Sequence, residues 1–328
     1  MSAELDTSNN RTNMAFLGDR SKVWHGQGQQ MEDNASIDEW TIAAGLNWNV
    51  ETSDVSYTIP GSSPLFIPDV KTFPDRKVLY RSDTHAALSV VSKDFKVVQP
   101  TEVIEFFRDL VENNNMKLST AGSLFGGRRF WALAELGKDF EVTSGDKVSG
   151  HLLLTTSVDS SIKTSARFVS TRVVCQNTLS IALAENSVRD IISISHRKQW
   201  DPTAVKINLG LLDKSWIEFM NSINKLVQVK ITDKQSENFF QNLVLENKKP
   251  EPTRTELRKV EKLMELYKNG IGSDMSYGTA WGLLNAVTEL NTHGTGRKGE
   301  SHQFWDAEFG GQNEIKTKAY NMLMSEVS

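Results

Sequence analysis

Apolar and polar residues alternate through four consecutive stretches in the middle of the chain, residues 116–125, 128–136, 147–158 and 162–175, all rich in β-branched side chains. Between them lie Gly126-Gly127, Gly145-Asp146 and Asp159-Ser160-Ser161, residue types that tolerate tight reversals. Four strands on short turns predict an antiparallel meander. Upstream, Ser36 followed three residues later by Glu39 spells a capping box, and the helix it opens should stop at Gly45. Residues 46–59 alternate around Trp48, Val50, Val55, Tyr57 and Ile59, as one long strand or a hairpin closed by Pro60-Gly61. Short β-type runs follow at 77–82 and 87–91, and Pro100-Thr101 opens an amphipathic helix that Asn113-Asn114-Asn115 should end. After the meander, Asn177–Asn186 is expected to be a helix.

From Asp201 the apolar spacing is three and four residues to the end, over 211–229, 233–245, 253–268, 277–290 and 311–327, with Thr253 and Glu256 as another capping box. No period of 20 to 50 residues recurs, which argues against a solenoid. These patterns predict an α+β fold: an antiparallel strand-rich core with flanking helices over residues 21–200, then a helical region over 201–328. Residues 1–20 are expected to be a disordered arm without core positions, since the first fifteen are polar and aperiodic.

Composition narrows the class further. The 328 residues are 38% hydrophobic and 24% charged, the balance of a folded globular chain. The single cysteine, Cys175, excludes an intramolecular disulfide framework and a zinc site built on cysteine pairs, so a reducing, cytoplasmic setting is expected. No run of about 18 apolar residues suggests a membrane span, and the first thirty residues do not pattern as a signal peptide. The formal net charge is −4, yet residues 117–198 carry eleven basic residues against seven acidic ones, many of them arginine. A surplus of this kind suits either an ordinary solvated face or a groove for a phosphate backbone.

Several strings occur in a recognisable order: VWHGQGQQ (23–30), EWTIAAGLNWNVE (39–51), YRSDTHAALSVVSKDFKVVQP (80–100), AGSLFGGRRFWALAEL (121–136), RVVCQNTLSIAL (172–183) and YGTAWGLLNAVTEL (277–290). Together they resemble the phage/plasmid-like protein family that carries domain of unknown function 932, over roughly residues 20–325. Two departures stand out: Val158-Asp159-Ser160-Ser161 replaces the family's usual His-Asp-Gly-Ser turn, and Gln27 replaces an apolar residue between Gly26 and Gly28. The resemblance implies work on mobile-element DNA. A meander followed by a helix is also broadly similar to the core of single-strand annealing proteins.

Catalytic motifs do not emerge. Gly294-Thr295-Gly296-Arg297-Lys298-Gly299 spells a dinucleotide fingerprint, but that motif needs a preceding strand and here a helix precedes it, so a basic loop is the expectation. No phosphate-binding Gly-Lys-Ser/Thr loop is present, and no two of the six histidines stand four apart for a metal. His302 and Asp306 have that spacing but suit a surface pair. Cys175, among Val173, Val174 and Leu179, suits packing better than nucleophilic chemistry. No catalytic residue, metal or cofactor is therefore assigned.

Strand parity supplies the candidate site. On the last meander strand Lys163, Ser165, Arg167, Val169 and Thr171 share one face, opposite Thr164, Ala166, Phe168, Ser170 and Arg172. A face with Lys, Arg and Ser can track phosphates while leaving bases free. Arg128-Arg129-Phe130-Trp131 adds two arginines beside two aromatics that could stack on bases. Asn177 and Thr178 fall where strand is expected to hand over to helix, either capping the helix or leaving its amides to hold a phosphate near Arg172. Arg128, Arg129, Lys163, Arg167, Arg172, Asn177 and Thr178 are thus the expected nucleic-acid-binding residues. The expected function is a phage- or plasmid-type protein that binds single-stranded DNA, anneals it in recombination and assembles as a homo-oligomer. The alternative is an enzyme or anti-defence factor with an unrecognised active site.

Overall fold

The computed structural model describes residues 5–8, 10–18, 27–59, 69–114, 116–172, 177–180, 191–210, 213–245, 252–293 and 311–327. Strands β1 (Met14–Leu17) and β2 (Gln29–Met31) pair in parallel and precede helix α1 (Ile37–Ala43). The capping box forms: Ser36 Oγ accepts from the Glu39 N–H at 3.3 Å, and the Glu39 carboxylate accepts from the Ser36 N–H at 2.7 Å. Gly45 ends the helix at φ +66°, where a side chain would also collide with Asn13.

Next come β3 (Val50–Ile59), β4 (Asp69–Arg81) and β5 (Ala87–Ser92), a three-stranded antiparallel sheet in that order. The helix expected from Pro100 is two helices, α2 (Pro100–Glu105) and α3 (Arg108–Asn114). Phe106 and Phe107 lie at the break, both buried and edge-to-face at 5.1 Å; turning the chain there admits both rings to the core.

The meander is as predicted. Strands β6 (Lys117–Leu124), β7 (Arg129–Thr143), β8 (Asp146–Ser157) and β9 (Thr164–Arg172) pair antiparallel with their neighbours in sequence. Asn177–Ser180, however, is a strand, β10, antiparallel to β9 with Asn177 opposite Arg172. The expected helix does not start there, because the unfilled edge of β9 offers the backbone a ladder that outweighs local helical preference. A further strand, β11 (Ile191–Ile194), occupies the first half of the same edge. The large sheet therefore runs β10-β9-β8-β7-β6-β1-β2.

Helices α4 (Pro202–Gly210), α5 (Asp213–Gln228), α6 (Asp233–Val244), α7 (Arg254–Asn269), α8 (Ala280–His293) and α9 (Gly311–Val327) follow. Thr253 and Glu256 form their capping box. One face of the large sheet, with Phe130, Ala132, Leu154, Ala166 and Phe168, shares a continuous buried cluster with Phe219, Leu226, Trp281, Leu284 and Tyr320 of these helices. Trp281 Nε1 donates to Asp146 at the start of β8 at 3.0 Å, tying α8 to that sheet. The α+β class and the helical C-terminal region are both present.

The opposite face carries a smaller buried cluster of Leu5, Met14, Leu124, Trp131, Leu153 and Val169. Leu5 and Met14 correct the expectation of a coreless arm. The N-terminal segment pairs along β6, and its polar side chains are satisfied internally: the Asp6 carboxylate accepts from Asn13 Nδ2 at 2.8 Å, from Ser123 Oγ at 3.1 Å and from Arg81 Nη1 at 2.6 Å. Polar composition suggested solvent because those partners lie far away in sequence.

Candidate nucleic-acid interface

The β8–β9 turn, the end of β5 and the segment after β11 meet around a groove of about 550 Å³. The turn is shaped by its own residues: Asp159 Oδ1 accepts from the Ser161 N–H at 2.9 Å, and Ser160 sits at φ +61°. Ser89 Oγ donates to the Val158 carbonyl, coupling the small sheet to this turn. From the third side, His196 stacks on Phe95 with centroids 4.4 Å apart. Its Nε2 lies 2.9 Å from the Ile162 carbonyl oxygen and its Nδ1 3.3 Å from that of Lys96. The Lys96 N–H donates back to the His196 carbonyl at 2.6 Å, so this ring holds the three segments in register.

Three exposed cations line the groove, Arg76 from β4, Lys163 from the turn and Arg197 from the segment after β11, against the single carboxylate of Asp159. Among the described residues none of the three is ion-paired. The Ser160, Ser161 and Ser195 side chains and exposed Val90 complete a surface of charge, hydroxyl and apolar contact. Just behind it Lys77 donates to the Phe95 carbonyl at 2.9 Å, and burial, then the neighbouring Lys96 charge, push its pKa down.

The expected site residues divide into three groups. Lys163 lines the groove, and Arg129 reaches it by donating from Nε to Ser161 Oγ at 2.9 Å while lying over the Phe125 ring at 4.4 Å. Arg128 is at the same end, exposed, its Nε donating to the Phe125 carbonyl at 3.0 Å. Arg167 is buried at 5% exposure, on the face that carries Val169 and the smaller cluster, and offers no free phosphate contact. Parity placed it on the correct face, but that face is covered. Arg172, Asn177 and Thr178 belong to the far end of β9 and to β10, and the nine residues of β9 span roughly 30 Å. They do not join Lys163, and the helix N-terminus expected at Asn177 and Thr178 is replaced by strand. Phe130 and Trp131 are both core residues, at 0% and 2% exposure, so neither stacks on a base from this surface. Cys175, the WHG at 24–26 and the glycine loop at 294–299 lie outside the described residues.

Sequence reasoning did not assign Arg76, Phe95, His196 and Arg197 to the site. Arg197 was visible only as part of the basic surplus, and Arg76 is separated from Lys163 by 86 intervening positions. Elsewhere, on the second face of the large sheet, His151 is buried opposite Glu135, and burial pushes its pKa down to about 4. Burial, reinforced by Asp139, raises that of Glu135. Among the described residues no group of three or more His, Cys, Asp or Glu side chains could hold a metal ion, and no helix is long and apolar enough to cross a membrane.

No curated protein and no solved structure matches the chain. The family model for a domain of unknown function, number 932, matches residues 87–309, more than half of the sequence and inclusive of β5, the meander and α8, so the chain belongs to that family.

Proposed function

We propose that this protein is a phage- or plasmid-type, cytoplasmic nucleic-acid binding protein that holds single-stranded DNA and promotes its annealing in recombination. The observation that carries this reading is the groove where Arg76, Lys163 and Arg197, from three separate segments, converge without ion-pair partners among the described residues. Unpaired cations converging on a concave surface attract a phosphate backbone and release its counterions. Exposed Val90 among them offers apolar contact to unstacked bases, which a duplex keeps inside.

The test is titration of a labelled oligonucleotide, single-stranded and duplex, at about 0.1 M salt and across a salt series. Single strand should bind more tightly than duplex. Replacing Arg76, Lys163 and Arg197 by alanine should flatten the log–log salt dependence by roughly 0.7 per lost phosphate contact. Absence of binding, or an unchanged slope in the folded triple variant, would exclude this groove as the interface.

A further inference from the structure

β3 is one of the two outer strands of the small sheet and is ten residues long. Only its beginning is closed: the Gln99 side chain accepts from the Val50 N–H at 2.8 Å and donates to the Val50 carbonyl at 3.2 Å. From Glu51 to Ile59 the outward backbone groups meet no partner, among the described residues, other than β4 on the inner side. An open edge of this length is a template for another strand, and from Val55 to Ile59 neither a charge nor a proline guards it.

Its side chains point the same way. The register sets Val55 opposite Phe73, Tyr57 opposite Lys71 and Ile59 opposite Asp69, so Val55, Tyr57, Ile59 and Phe73 share one face, bordered on β4 by the Lys71–Asp69 ion pair, while Ser56, Thr58, Thr72 and Val70 share the other. This is the alternation of a strand buried on one side. Yet Tyr57 is 51% exposed, and Ile59 and Phe73 are each 44% exposed. A bare two-stranded ribbon is marginal in water, and this apolar face calls for a cover.

We infer that β3 pairs antiparallel with β3 of a second copy of this chain, about a two-fold axis at Tyr57. Val55-Ser56-Tyr57-Thr58-Ile59 has the same character read in either direction. Centred on Tyr57, antiparallel pairing sets Val55 against Ile59 and Ser56 against Thr58: apolar against apolar on one face, hydroxyl against hydroxyl on the other. A two-fold interface requires such self-complementarity. The window contains no charge, whereas a register centred on Asp54 would oppose two carboxylates. Apart from Arg76 in the groove, Lys77 behind it and buried Arg81, the ribbon carries Glu51, Asp54, Asp69 and Asp75 against Lys71, a balance suited to protein rather than to a phosphate backbone. This inference is independent of what the groove binds.

Light scattering and sedimentation of the full chain at micromolar concentration test it. The wild type should be a dimer or a multiple of dimers, and Tyr57→Lys, at an exposed position, should raise the dissociation constant at least about tenfold with unchanged circular dichroism. As a second measurement, Tyr57→Cys in a Cys175→Ala background should give a disulfide-linked dimer under mild oxidation, while Asp54→Cys should not. A monomeric wild type, association untouched by Tyr57→Lys, or equal cross-linking at Asp54 overturns the proposal.

Discussion

Arg81 Nη1 donates to Asp6 Oδ2 at 2.6 Å with both side chains fully shielded from solvent, joining positions 75 apart in the chain. The same guanidinium lies 3.9 Å from the Trp48 ring centroid and pairs with Asp83 at 2.8 Å. With the Gly126 carbonyl 3.5 Å from the same Nη1, one cation joins the N-terminal segment, the small sheet and the β6–β7 turn of the large sheet at a single point.

Removing one partner of a buried pair leaves the other charge uncompensated, which typically costs about 3–5 kcal/mol. Asp6→Ala should fall near the lower end, since Asp83 still faces Arg81, and chemical denaturation will measure it. Burial pushes the Asp6 carboxyl up, but hydrogen bonds from Ser8, Arg81 and Asn13 and the Arg81 charge outweigh it and hold the pKa below the usual 3.8. Its stabilisation is therefore complete above that value and lost as pH falls through the lower folded value. Asp6→Asn should flatten this acid limb of the stability–pH curve.

His151 predicts a second pH dependence, at higher pH. Burial lowers its pKa from 6.5 to about 4, so between those values the unfolded chain binds the proton more readily than the folded one. Stability should be full above about pH 6.5 and decline towards pH 4, by up to roughly 3 kcal/mol. His151→Gln should abolish this decline in thermal melts across the range. An identical slope in the variant would assign the effect to other groups.

Arg167 and Lys163 share a strand face in sequence but differ in exposure, so their alanine variants should separate. Arg167→Ala removes a buried side chain and should cost about 2 kcal/mol or more of stability, with no change in salt slope per folded molecule. Lys163→Ala should leave stability within about 0.5 kcal/mol and reduce the salt slope of single-strand binding.

His196 acts on the groove by position. Its ring packs on Phe95 and faces two backbone carbonyls, so His196→Ala should cost about 1–2 kcal/mol. Oligonucleotide affinity should fall while the salt slope stays, because the three cations remain. A reduced slope would instead make His196 a direct phosphate contact.

Local rules were legible wherever the determinant lay within a few residues. The Ser36/Glu39 and Thr253/Glu256 boxes, the turns at Gly126-Gly127 and Gly145, the meander and the amphipathic helices follow from spacing alone, as does the alternation that puts Ala166 and Phe168 in the core. Long-range partners decided the rest. Asn177–Ser180 became a strand because β9 presented an open edge, and Arg167 was buried because its face of the sheet is covered. Asp6 and Asn13 left solvent because Arg81 and Ser123 could satisfy them. The groove likewise required Arg76, Lys163 and Arg197 to meet from three segments. Strand period and cap chemistry are written into neighbouring side chains, whereas burial and charge convergence depend on which distant backbone closes against which face.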